Sequence, residues 1–487
     1  MVDTESSTGR PRIVIVGAGI AGLSAAWELT RGENPPEVLL LEAGSRAGGV
    51  IETFYDPPYL IERAADNFAT LIPDALELCK EIGYAENLIT PRQEGRQAFV
   101  VRSGKIYPIP VGFSLVQPTR VWPILSTGTL SPAGKLRLLC EYFVKSRRSD
   151  EDESLESFAL RRVGREAFEQ LVEPIVSGIF TADPKTLSMQ ATLPQFVAME
   201  QKHGGLMRGY LAARREDSAA VARRASGARY DQFMAPREGM SHLLNHLVDV
   251  LPKGTLKLHS PVRVIERSAI NDALWTVRTD AEQIDCDGIV LASPVHSVAP
   301  LLAPLVPDSQ STLSSIPYAS SAVVVMIVDR AELKGRTDGF GLIVPRNERR
   351  PVLAISYTSN KYPGRAPDDQ LIMRIFLGGA MDPTMMDRSD SQIAAVAEQQ
   401  LKELLKWSGQ GCRRQLVVRW KEAMPQYHVG HNSRVKQLES QVAALGNIRI
   451  CGAGYHGVGI PQTVRSARRA ARELRDGLQL NRSESKA

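Results

Sequence analysis

Short apolar runs rich in β-branched residues stand near both ends of the chain, close to glycines and helical patterns. The runs at 12–16 and 37–41 are typical of strands buried in a parallel sheet, and 23–31 between them predicts a helix. Near the end, 448–451 predicts another buried strand and 463–477 another helix. Since this pattern occurs at both ends, we expect one α/β domain assembled from discontinuous segments.

The middle of the chain predicts a different organisation. Residues 70–90 and 131–211 are mostly helical in pattern, whereas 321–329 and 370–376 predict strands of a second sheet. Residues 212–232 have few large apolar side chains, which predicts a mobile insertion. The predicted division is a disordered tail at 1–10, an α/β domain from 11–95, 235–300 and 440–480, a mixed-sheet domain from 96–110 and 301–439, and a helical lobe from 111–234.

The composition of the 487 residues is that of a globular enzyme rather than a nucleic-acid-binding protein. The hydrophobic fraction of 43% and the charged fraction of 23% are ordinary, and the net charge of +5 is small for this length. A nucleic-acid-binding surface would concentrate far more positive charge in one patch. No apolar run reaches the roughly 18 residues of a membrane span. We therefore expect no nucleic-acid partner, and the sequence leaves both a monomer and a homodimer open.

Cysteine and histidine positions do not predict a metal site. The five cysteines include no C-x-x-C pair, so neither a disulfide framework nor a zinc site is expected, and a reducing cytoplasm fits best. His242 and His246 lie four residues apart on a predicted helix, but no acid or third histidine accompanies them. We therefore predict no bound metal.

The first glycine-rich turn has the spacing of a dinucleotide-binding motif. Gly17 permits a tight turn, Gly19 lets backbone N–H groups approach a pyrophosphate, and Gly22 allows close packing of helix and strand. Glu42 ends the next strand about 20 residues further on, where an acid binds the ribose and disfavours NADP. The residues of this G-x-G-x-x-G turn, all predicted to bind the cofactor, are Gly17, Ala18, Gly19, Ile20, Ala21 and Gly22.

The residues that follow Glu42 distinguish FAD from NAD. They form the pattern E-x-x-x-R-x-G-G, which resembles the second motif of the large superfamily of FAD-dependent amine oxidases and porphyrinogen oxidases. In that superfamily the arginine and the paired glycines let the chain run beside the diphosphate and the flavin, and a guanidinium suits phosphate. The resemblance therefore implies FAD, with contacts from Glu42, Ala43, Arg46, Gly48, Gly49 and Val50.

A third match lies in the glycine cluster at 452–459, between the last predicted strand and the last predicted helix. A strand, a glycine turn and a helix N-terminus can aim N–H groups at a flavin ring. Two helix N-termini, one for the diphosphate and one for the ring, favour a flavin over a nicotinamide. By resemblance, further FAD contacts are expected from Ala64, Ala65, Asp66, Asn67, Val262, Trp420, Gly452, Val458, Gly459 and Ile460.

Within that superfamily, nearly the whole chain resembles the oxygen-dependent protoporphyrinogen oxidase family, which includes bacterial coproporphyrinogen III oxidases. The segments 173–189, 365–367, 424–431 and 457–461 carry the resemblance. It implies a six-electron oxidation of a porphyrinogen to the porphyrin in heme biosynthesis, with oxygen reduced to hydrogen peroxide. The flavin performs the chemistry, so no catalytic side chain is assigned. No residue decides between coproporphyrinogen III and protoporphyrinogen IX, although the C-terminal motif slightly favours the former.

The resemblance also implies the kind of substrate site. A flat, apolar macrocycle with propionates needs an apolar slot, predicted to include Gly178 and Phe180, and a positive anchor. Tyr362 matches a position where plant relatives carry an aromatic residue that contacts the ring. Ala98 stands where those relatives carry a propionate-binding arginine, which leaves Arg96 as a substitute. The α/β domain is then a Rossmann-like FAD-binding domain, and the mixed-sheet domain binds the substrate.

Two other functions share this architecture. Another flavin amine oxidase or a carotenoid desaturase would need an aromatic cage or long apolar helices, and Tyr455 alone makes no cage. A binding module similar to Rab GDP-dissociation inhibitors would lack FAD and would be expected to lose the E-x-x-x-R-x-G-G pattern, which is intact here.

Apolar residues between 110 and 145 raise the question of membrane contact. Phe113, Leu115, Val121, Trp122 and Leu125 are compatible with a peripheral membrane surface, with core packing and with a substrate entrance. We expect a cytoplasmic protein whose helical lobe faces the inner surface of the cell membrane. Its expected partners are the porphyrinogen, molecular oxygen and other enzymes of the heme pathway.

Overall fold

The structure is a computed structural model that describes residues 10–118, 121–216, 232–269 and 274–484. The predicted tail at 1–10, apart from its last residue, and most of the insertion predicted at 212–232 lie outside these residues. The insertion was predicted to start too early, because the helix Leu206–Glu216 continues through its first residues. Alanine, arginine and glutamate in that stretch are strong helix formers, which explains the continuation.

The first sheet is parallel and five-stranded, and strands from both chain ends contribute to it. Its central strand, Arg12–Val16, pairs with Glu37–Leu41 on one side and with Gly288–Leu291 on the other. The bounds of the first two strands are those predicted. Helices Ile20–Leu29 and Ile460–Glu484 pack against each other in the core beside this sheet. Across the sheet, the strands are Leu256–Lys257, Glu37–Leu41, Arg12–Val16, Gly288–Leu291 and Ile448–Ile450.

The second sheet has seven strands and is mixed, as predicted. Gly341–Ile343 runs parallel to Ala98–Arg102, and the other neighbouring strands are antiparallel. Helix Asp390–Leu404 covers one face, where Ile393 and Leu401 are fully buried. Across the sheet, the strands are Cys412–Pro425, Tyr318–Asp329, Gln370–Gly378, Val352–Tyr357, Gly341–Ile343, Ala98–Arg102 and Lys105–Pro108.

Helices between 121 and 216 pack on the second sheet and form a lobe. Phe158 and Leu171 lie in its buried centre, which Val100 and Ile343 reach from the sheet. The α-helices of the lobe are Val121–Ser126, Pro132–Leu139, Leu155–Arg162, Arg165–Ala167, Glu173–Phe180, Met189–Thr192, Pro194–His203 and Leu206–Glu216.

Smaller elements connect these layers. The helix predicted over 70–90 is only Asp74–Glu81, because Gly83 follows with a φ of +72°, a conformation that ends helices. The smaller strands are Thr53–Asp56, Tyr59–Glu62, Phe68–Ala69, Leu88–Ile89, Phe113–Ser114, Gln117–Pro118, Phe233–Pro236, Val262–Arg267, Trp275–Thr279 and Gln283–Cys286. The remaining α-helices are Met240–Asp249, Val295–Leu302, Ser309–Ser314, Thr358–Lys361, His431–Ala443 and Ala453–His456.

The histidine pair considered as a metal site has other partners. His242 shares a hydrogen bond with Tyr84, and a ring nitrogen of His246 lies 2.8 Å from the carbonyl oxygen of Ile82. The expectation that no acid accompanies the pair was wrong, because the Glu238 carboxylate, one helical turn before His242, lies 3.2 Å from its Nε2. Over the described ranges, no group of three or more His, Cys, Asp or Glu side chains is arranged to hold a metal. In the same part of the chain, none of the helices has the length and apolar character needed to span a bilayer.

The apolar residues of 110–145 divide into a buried and an exposed set. Phe113 is 5% exposed and belongs to the lobe core, whereas Trp122 is 76% exposed and Phe143 is 75% exposed. Leu125 and Leu136 are exposed as well, and the helices that carry them are neighbours. These four exposed side chains are referred to below as the lobe patch.

Candidate functional site

The first glycine turn leaves open space at a helix N-terminus. A Cβ atom at Gly22 would lie 1.8 Å from the carbonyl oxygen of Gly17, so this position accepts only glycine. Gly19 is different, because a Cβ atom there would meet nothing within 4 Å. Gly19 precedes the helix Ile20–Leu29 and provides no side-chain cap for it. A helix N-terminus with open space beside it fits a diphosphate.

Glu42 borders the same turn. Its carboxylate accepts hydrogen bonds from the backbone N–H of Ala18 at 2.8 Å and from that of Gly44 at 2.8 Å. Ala43 beside it is exposed. The strand that begins at Val262 also starts close to Glu42. Ser260 lies two residues before Val262, and its N–H donates to the carbonyl oxygen of Glu42. Glu42, Ala43 and Val262 therefore lie near one another, as an adenosine site would need.

The second glycine turn packs directly on the first. The N–H of Gly48 donates to the carbonyl oxygen of Ala18 at 2.8 Å. A Cβ atom at Gly49 would lie 3.4 Å from Gly19 Cα, so the two backbones approach as closely as glycines allow. Val50 follows and is 58% exposed. Residues 17–22 and 48–50 thus form one surface.

Arg46 holds the second glycine turn in shape. Its guanidinium donates to the carbonyl oxygens of Gly49 at 2.7 Å and Ile51 at 3.0 Å, and it lies 3.6 Å from the Glu52 carboxylate. A direct contact with phosphate, which the sequence predicts, stays a prediction. The visible role of Arg46 is to fix the loop that borders the open space.

A second group of predicted residues, at 64–67, lies against the seven-stranded sheet. Arg374 donates to the carbonyl oxygen of Ala64, and the Asp66 carboxylate lies 3.4 Å from the Lys361 ammonium and 3.7 Å from the Arg374 guanidinium. The Asn67 amide donates to Asp66 at 2.9 Å. Burial alone would raise the pKa of Asp66, but the two cations outweigh it and hold the pKa below its ordinary value.

Trp420 connects this loop to the sheet. Its indole N–H donates to the carbonyl oxygen of Arg63 at 3.1 Å, and its strand lies beside Tyr318–Asp329. Trp420 also packs near Phe376 in a cluster on this face of the sheet. The sequence motif at 365–367 has a related structural role, because Arg365 is buried and donates to the carbonyl oxygens of Pro236 and Arg237.

The C-terminal glycine turn contacts the first helix. A Cβ atom at Gly452 would lie 3.8 Å from the Ala21 side chain, which places this turn beside the first glycine turn. Gly459 precedes the long helix that begins at Ile460, and Val458 packs against the lobe. Val458, Gly459 and Ile460 therefore lie at a helix N-terminus between the α/β domain and the lobe.

His431 supports this turn from behind. It stacks on Tyr427 with ring centroids 4.2 Å apart, and its Nε2 lies 2.9 Å from the carbonyl oxygen of Tyr455. Burial lowers the pKa of His431 to about 4, so the imidazole is neutral at physiological pH. Tyr427 accepts from the N–H of Gly457 at 3.0 Å and donates to the carbonyl oxygen of Ala453. These residues fix the turn and are not placed to act as acid or base.

The predicted substrate residues are not all exposed to a common space. Tyr362 is 1% exposed and packs in the protein interior, so its contact with the substrate ring stays a prediction. Phe180 is 9% exposed and belongs to the lobe core. Gly178, on the same helix, has open space beside it. Arg96 donates to the carbonyl oxygens at positions 91 and 92, which ties its guanidinium to its own loop.

Apart from Ala98, a row of residues across the seven-stranded sheet was missed from the sequence. Ala98, Gly341, Ser356 and Arg374 are register partners on four adjacent strands. The Ser356 hydroxyl is buried and has no hydrogen-bond partner among the described residues. Phe376 lies on the same face as Arg374, which is 5.2 Å from its ring. A buried arginine within the apolar strand Gln370–Gly378 is the sequence signal that could have revealed this row.

Together, the row and the loop at 64–67 border one region. Arg374 contacts Ala64 from the row, and Trp420 contacts Arg63 from the neighbouring strand. The orphaned Ser356 hydroxyl offers a polar contact that the protein itself does not use. We refer to Ala98, Ser356, Arg374 and Phe376 below as the sheet row.

Comparison with known proteins fits this arrangement. The sequence model of the flavin containing amine oxidoreductases matches residues 20–475. The chain belongs to this family. It is therefore a flavin-containing oxidoreductase, and the predicted FAD cofactor and Rossmann-like α/β fold are confirmed.

Several named relatives cover nearly the whole chain. A coproporphyrinogen III oxidase from Bacillus subtilis (strain 168) is 31% identical over 463 residues, which cover 94% of this chain and 96% of that protein. A coproporphyrinogen III oxidase from Staphylococcus aureus is 29% identical and covers 95% of this chain and 98% of its own length. A chloroplastic protoporphyrinogen oxidase from Nicotiana tabacum is 27% identical, and the match covers 95% of this chain and 85% of that protein.

Solved structures agree on the fold. A protein from Exiguobacterium sp. 255-15, provisionally described as a protoporphyrinogen oxidase, is 28% identical with a TM-score of 0.82, and the match covers 97% of this chain and 100% of that chain. Reduced UDP-galactopyranose mutase is 15% identical with a TM-score of 0.71 and covers 96% of this chain and 94% of its own. The second likeness shows the fold alone.

Proposed function

We propose that this protein oxidises a porphyrinogen, coproporphyrinogen III, to the porphyrin with molecular oxygen as acceptor and hydrogen peroxide as product, in heme biosynthesis. Relatives named coproporphyrinogen III oxidase, similar over nearly the whole chain, support the substrate class. The observation that carries the proposal is the sheet row, which pairs an aromatic side chain with a cation next to the loop at 64–67.

In this proposal, the chain supplies a shaped and dry site rather than a catalytic base. FAD, when bound, supplies the two-electron oxidation that each step requires. Gly19, Gly48 and Gly49 would hold its diphosphate, and the helix that begins at Ile460 would face its ring. The sheet row would then hold the macrocycle, with Phe376 against the apolar ring.

The cations near the loop would contribute to orientation. Lys361 and Arg374 flank Asp66 on the side of the sheet row, and Arg374 is 4% exposed. Two positive charges around one carboxylate leave a net positive potential for anionic groups of a substrate. Arg96 remains a proposed anchor only if its loop moves, because the carbonyl oxygens at 91 and 92 already occupy its guanidinium.

The lobe patch supports a second, peripheral property. We propose that Trp122, Leu125, Leu136 and Phe143 touch the inner face of the cell membrane of a cytoplasmic protein. Exposed apolar side chains grouped on neighbouring helices are typical of such surfaces. The division into domains, contacts with other heme-pathway enzymes and the choice between monomer and homodimer stay predictions.

The experiment that tests the proposed function compares substrates. FAD-loaded protein is mixed in air with coproporphyrinogen III and, separately, with protoporphyrinogen IX, and porphyrin fluorescence is followed over time. We expect porphyrin to form from coproporphyrinogen III, with a higher kcat/KM than from protoporphyrinogen IX. Formation of neither porphyrin above the rate without protein would rule the proposal out.

A further inference from the structure

A cavity of about 270 Å³ lies away from the glycine turns. It lies between the helix Glu173–Phe180 and the turn that joins Gly341–Ile343 to Val352–Tyr357, and it is partly open to solvent. The wall formed by Pro174, Val344 and Val352 is apolar. The charged side chains that line it are Glu173, Arg346, Arg349, Arg350 and Asp382.

Two of the three arginines are not committed to carboxylates of the protein. Arg350 pairs with Glu403, whereas the guanidinium of Arg346 contacts, among the residues that the structure describes, the Met381 sulfur at 3.5 Å. Arg349 forms no ion pair with any residue that the structure describes. Arg346 and Arg349 are therefore available to an anionic ligand.

The turn that carries these arginines is fixed in place. The Glu348 carboxylate accepts from the backbone N–H of Ser103 at 2.5 Å and from that of Gly104 at 3.0 Å. Arg349 has a φ of +52°, a left-handed conformation that closes the turn. These contacts hold the backbone of the turn, so the Cα atoms of Arg346 and Arg349 need not move when a ligand binds.

Glu173 lines the cavity. It is 6% exposed, and the hydrogen bond that its carboxylate accepts among the described residues is a long contact of 3.4 Å from the N–H of Arg346. Burial raises the pKa of Glu173 to about 7, helped by Glu169 and Asp183 and opposed by Arg346. Below that pH the carboxyl is neutral and can donate a hydrogen bond.

The cavity lies beyond the end of the sheet row. Gly378 lines it and is four residues after Arg374 on the same strand, which is about 13 Å at the rise of a β-strand. A carboxylate in the cavity and a group beside Arg374 would therefore lie on the order of 13 Å apart.

We propose that this cavity binds carboxylate groups, with Arg346 and Arg349 as the donors and the apolar wall beside the aliphatic part of the ligand. Paired guanidinium groups suit carboxylates, and the apolar wall suits a short hydrocarbon arm. The carboxylate has two sources. A propionate of the porphyrinogen is one, and this source rests on the proposed function; a free aliphatic carboxylate is the other.

The test measures binding rather than turnover. FAD-loaded wild type and the double variant Arg346→Gln, Arg349→Gln are titrated with coproporphyrin III, followed by porphyrin fluorescence, and with succinate, followed by calorimetry. Arg263→Gln is the matched control, because that exposed arginine pairs with Asp280 in a separate small sheet. We expect the double variant to bind one of the two probes about tenfold more weakly than the control.

The two probes distinguish the sources. Weakened coproporphyrin III binding assigns the site to propionates, and weakened succinate binding alone assigns it to a free carboxylate. If the double variant binds both probes as tightly as Arg263→Gln does, the proposal is overturned. A third outcome separates this site from the proposed function. If wild type oxidises no porphyrinogen but the double variant binds a probe more weakly than the control does, the proposed function is wrong and the carboxylate site is still supported.

Glu173 gives a second test. Arg346, Arg349 and Arg350 from the turn and Asp382 from the loop opposite face it, with Glu169 and Asp183 nearby. Since ionised Glu173 repels a carboxylate, wild type should bind the responsive probe more tightly at pH 6 than at pH 8. Glu173→Gln should bind at pH 8 as tightly as wild type does at pH 6. A variant that binds no more tightly than wild type at pH 8 would overturn the assignment of Glu173 to the site.

Discussion

The glycine turns and the sheet row differ in how far apart their residues lie in the sequence. The turns need only 17–22 and 48–50, and their shape follows from glycine backbones that approach each other. The sheet row combines Ala98, Ser356 and Arg374, which come together only through strand register. A short sequence motif predicts a site that is built from the backbone of one turn. A site that is built across several strands depends on strand pairing, which no short motif encodes.

The largest expected effect is on the glycine turns. Gly19→Val should reduce the affinity for FAD by at least about a thousandfold, or about 4 kcal/mol, because its side chain would occupy the space expected for the diphosphate. The φ of −69° at Gly19 suits any residue, so the fold should persist. FAD affinity is measured by fluorescence titration of the apoprotein, and the fold by circular dichroism.

The control for that variant is at the other glycine. Gly22→Ala introduces a Cβ 1.8 Å from the Gly17 carbonyl oxygen, so both the fold and FAD binding should suffer. A Gly19→Val protein that retains full FAD would show that the diphosphate lies elsewhere.

The second prediction separates the two faces of one strand. Ile375→Ala should lower the free energy of unfolding by about 3 kcal/mol, because Ile375 is fully buried on the face covered by helix Asp390–Leu404. Phe376→Ala, on the other face, should raise KM for coproporphyrinogen III about tenfold with a smaller loss of stability. Unfolding midpoints and steady-state kinetics measure the pair. Equal effects of both variants on KM would argue against a substrate at the sheet row.

The third prediction concerns Asp66. Lys361 and Arg374 depress its pKa in the folded state, so its ionised form contributes stability above the unfolded value of 3.8, and this contribution is lost as the pH falls further. Asp66→Asn should therefore be less stable than wild type by about 2 kcal/mol at pH 7. The difference should shrink at pH 3. Thermal midpoints at the two pH values measure it, and a difference that stays constant would mean that Asp66 is not ionised.

The smallest effect is expected at the lobe patch. Trp122→Ser should reduce binding to vesicles of anionic lipid about threefold, because one exposed indole contributes only part of a peripheral contact. Sedimentation with vesicles measures the bound fraction, and Trp407→Phe, a largely buried tryptophan in the core of the second sheet, is the comparison. If Trp122→Ser binds these vesicles as well as wild type does, Trp122 is not part of a membrane contact.

The sequence predicts the backbone of the cofactor site well. Strands 12–16 and 37–41 have the predicted bounds, and the strand predicted at 448–451 is Ile448–Ile450 of the same sheet. These strands are short apolar runs buried on both faces, so their pattern admits few alternatives. The helix expected over 70–90 was too long, because a single glycine at 83 ends it.

Side-chain roles were harder to predict than positions. Tyr362 is an aromatic residue in a family-like segment, and it packs into the protein interior. The guanidinium of Arg46 donates to carbonyl oxygens of its own loop. Arg374 and Phe376 were missed, because their common face depends on the pairing of Gln370–Gly378 with its neighbours. Burial and register arise from tertiary packing, which a motif match does not contain.

The stoichiometry of the reaction is the decisive measurement for the proposed six-electron oxidation. FAD-loaded protein is given a limiting amount of coproporphyrinogen III in a closed oxygen electrode, and the porphyrin formed is measured by its absorbance. We expect three molecules of oxygen to be consumed, and three of hydrogen peroxide to be released, for each porphyrin, since six electrons leave the substrate in pairs. Porphyrin formed at the same slow rate with and without protein, or no oxygen consumed as it forms, would contradict this expectation.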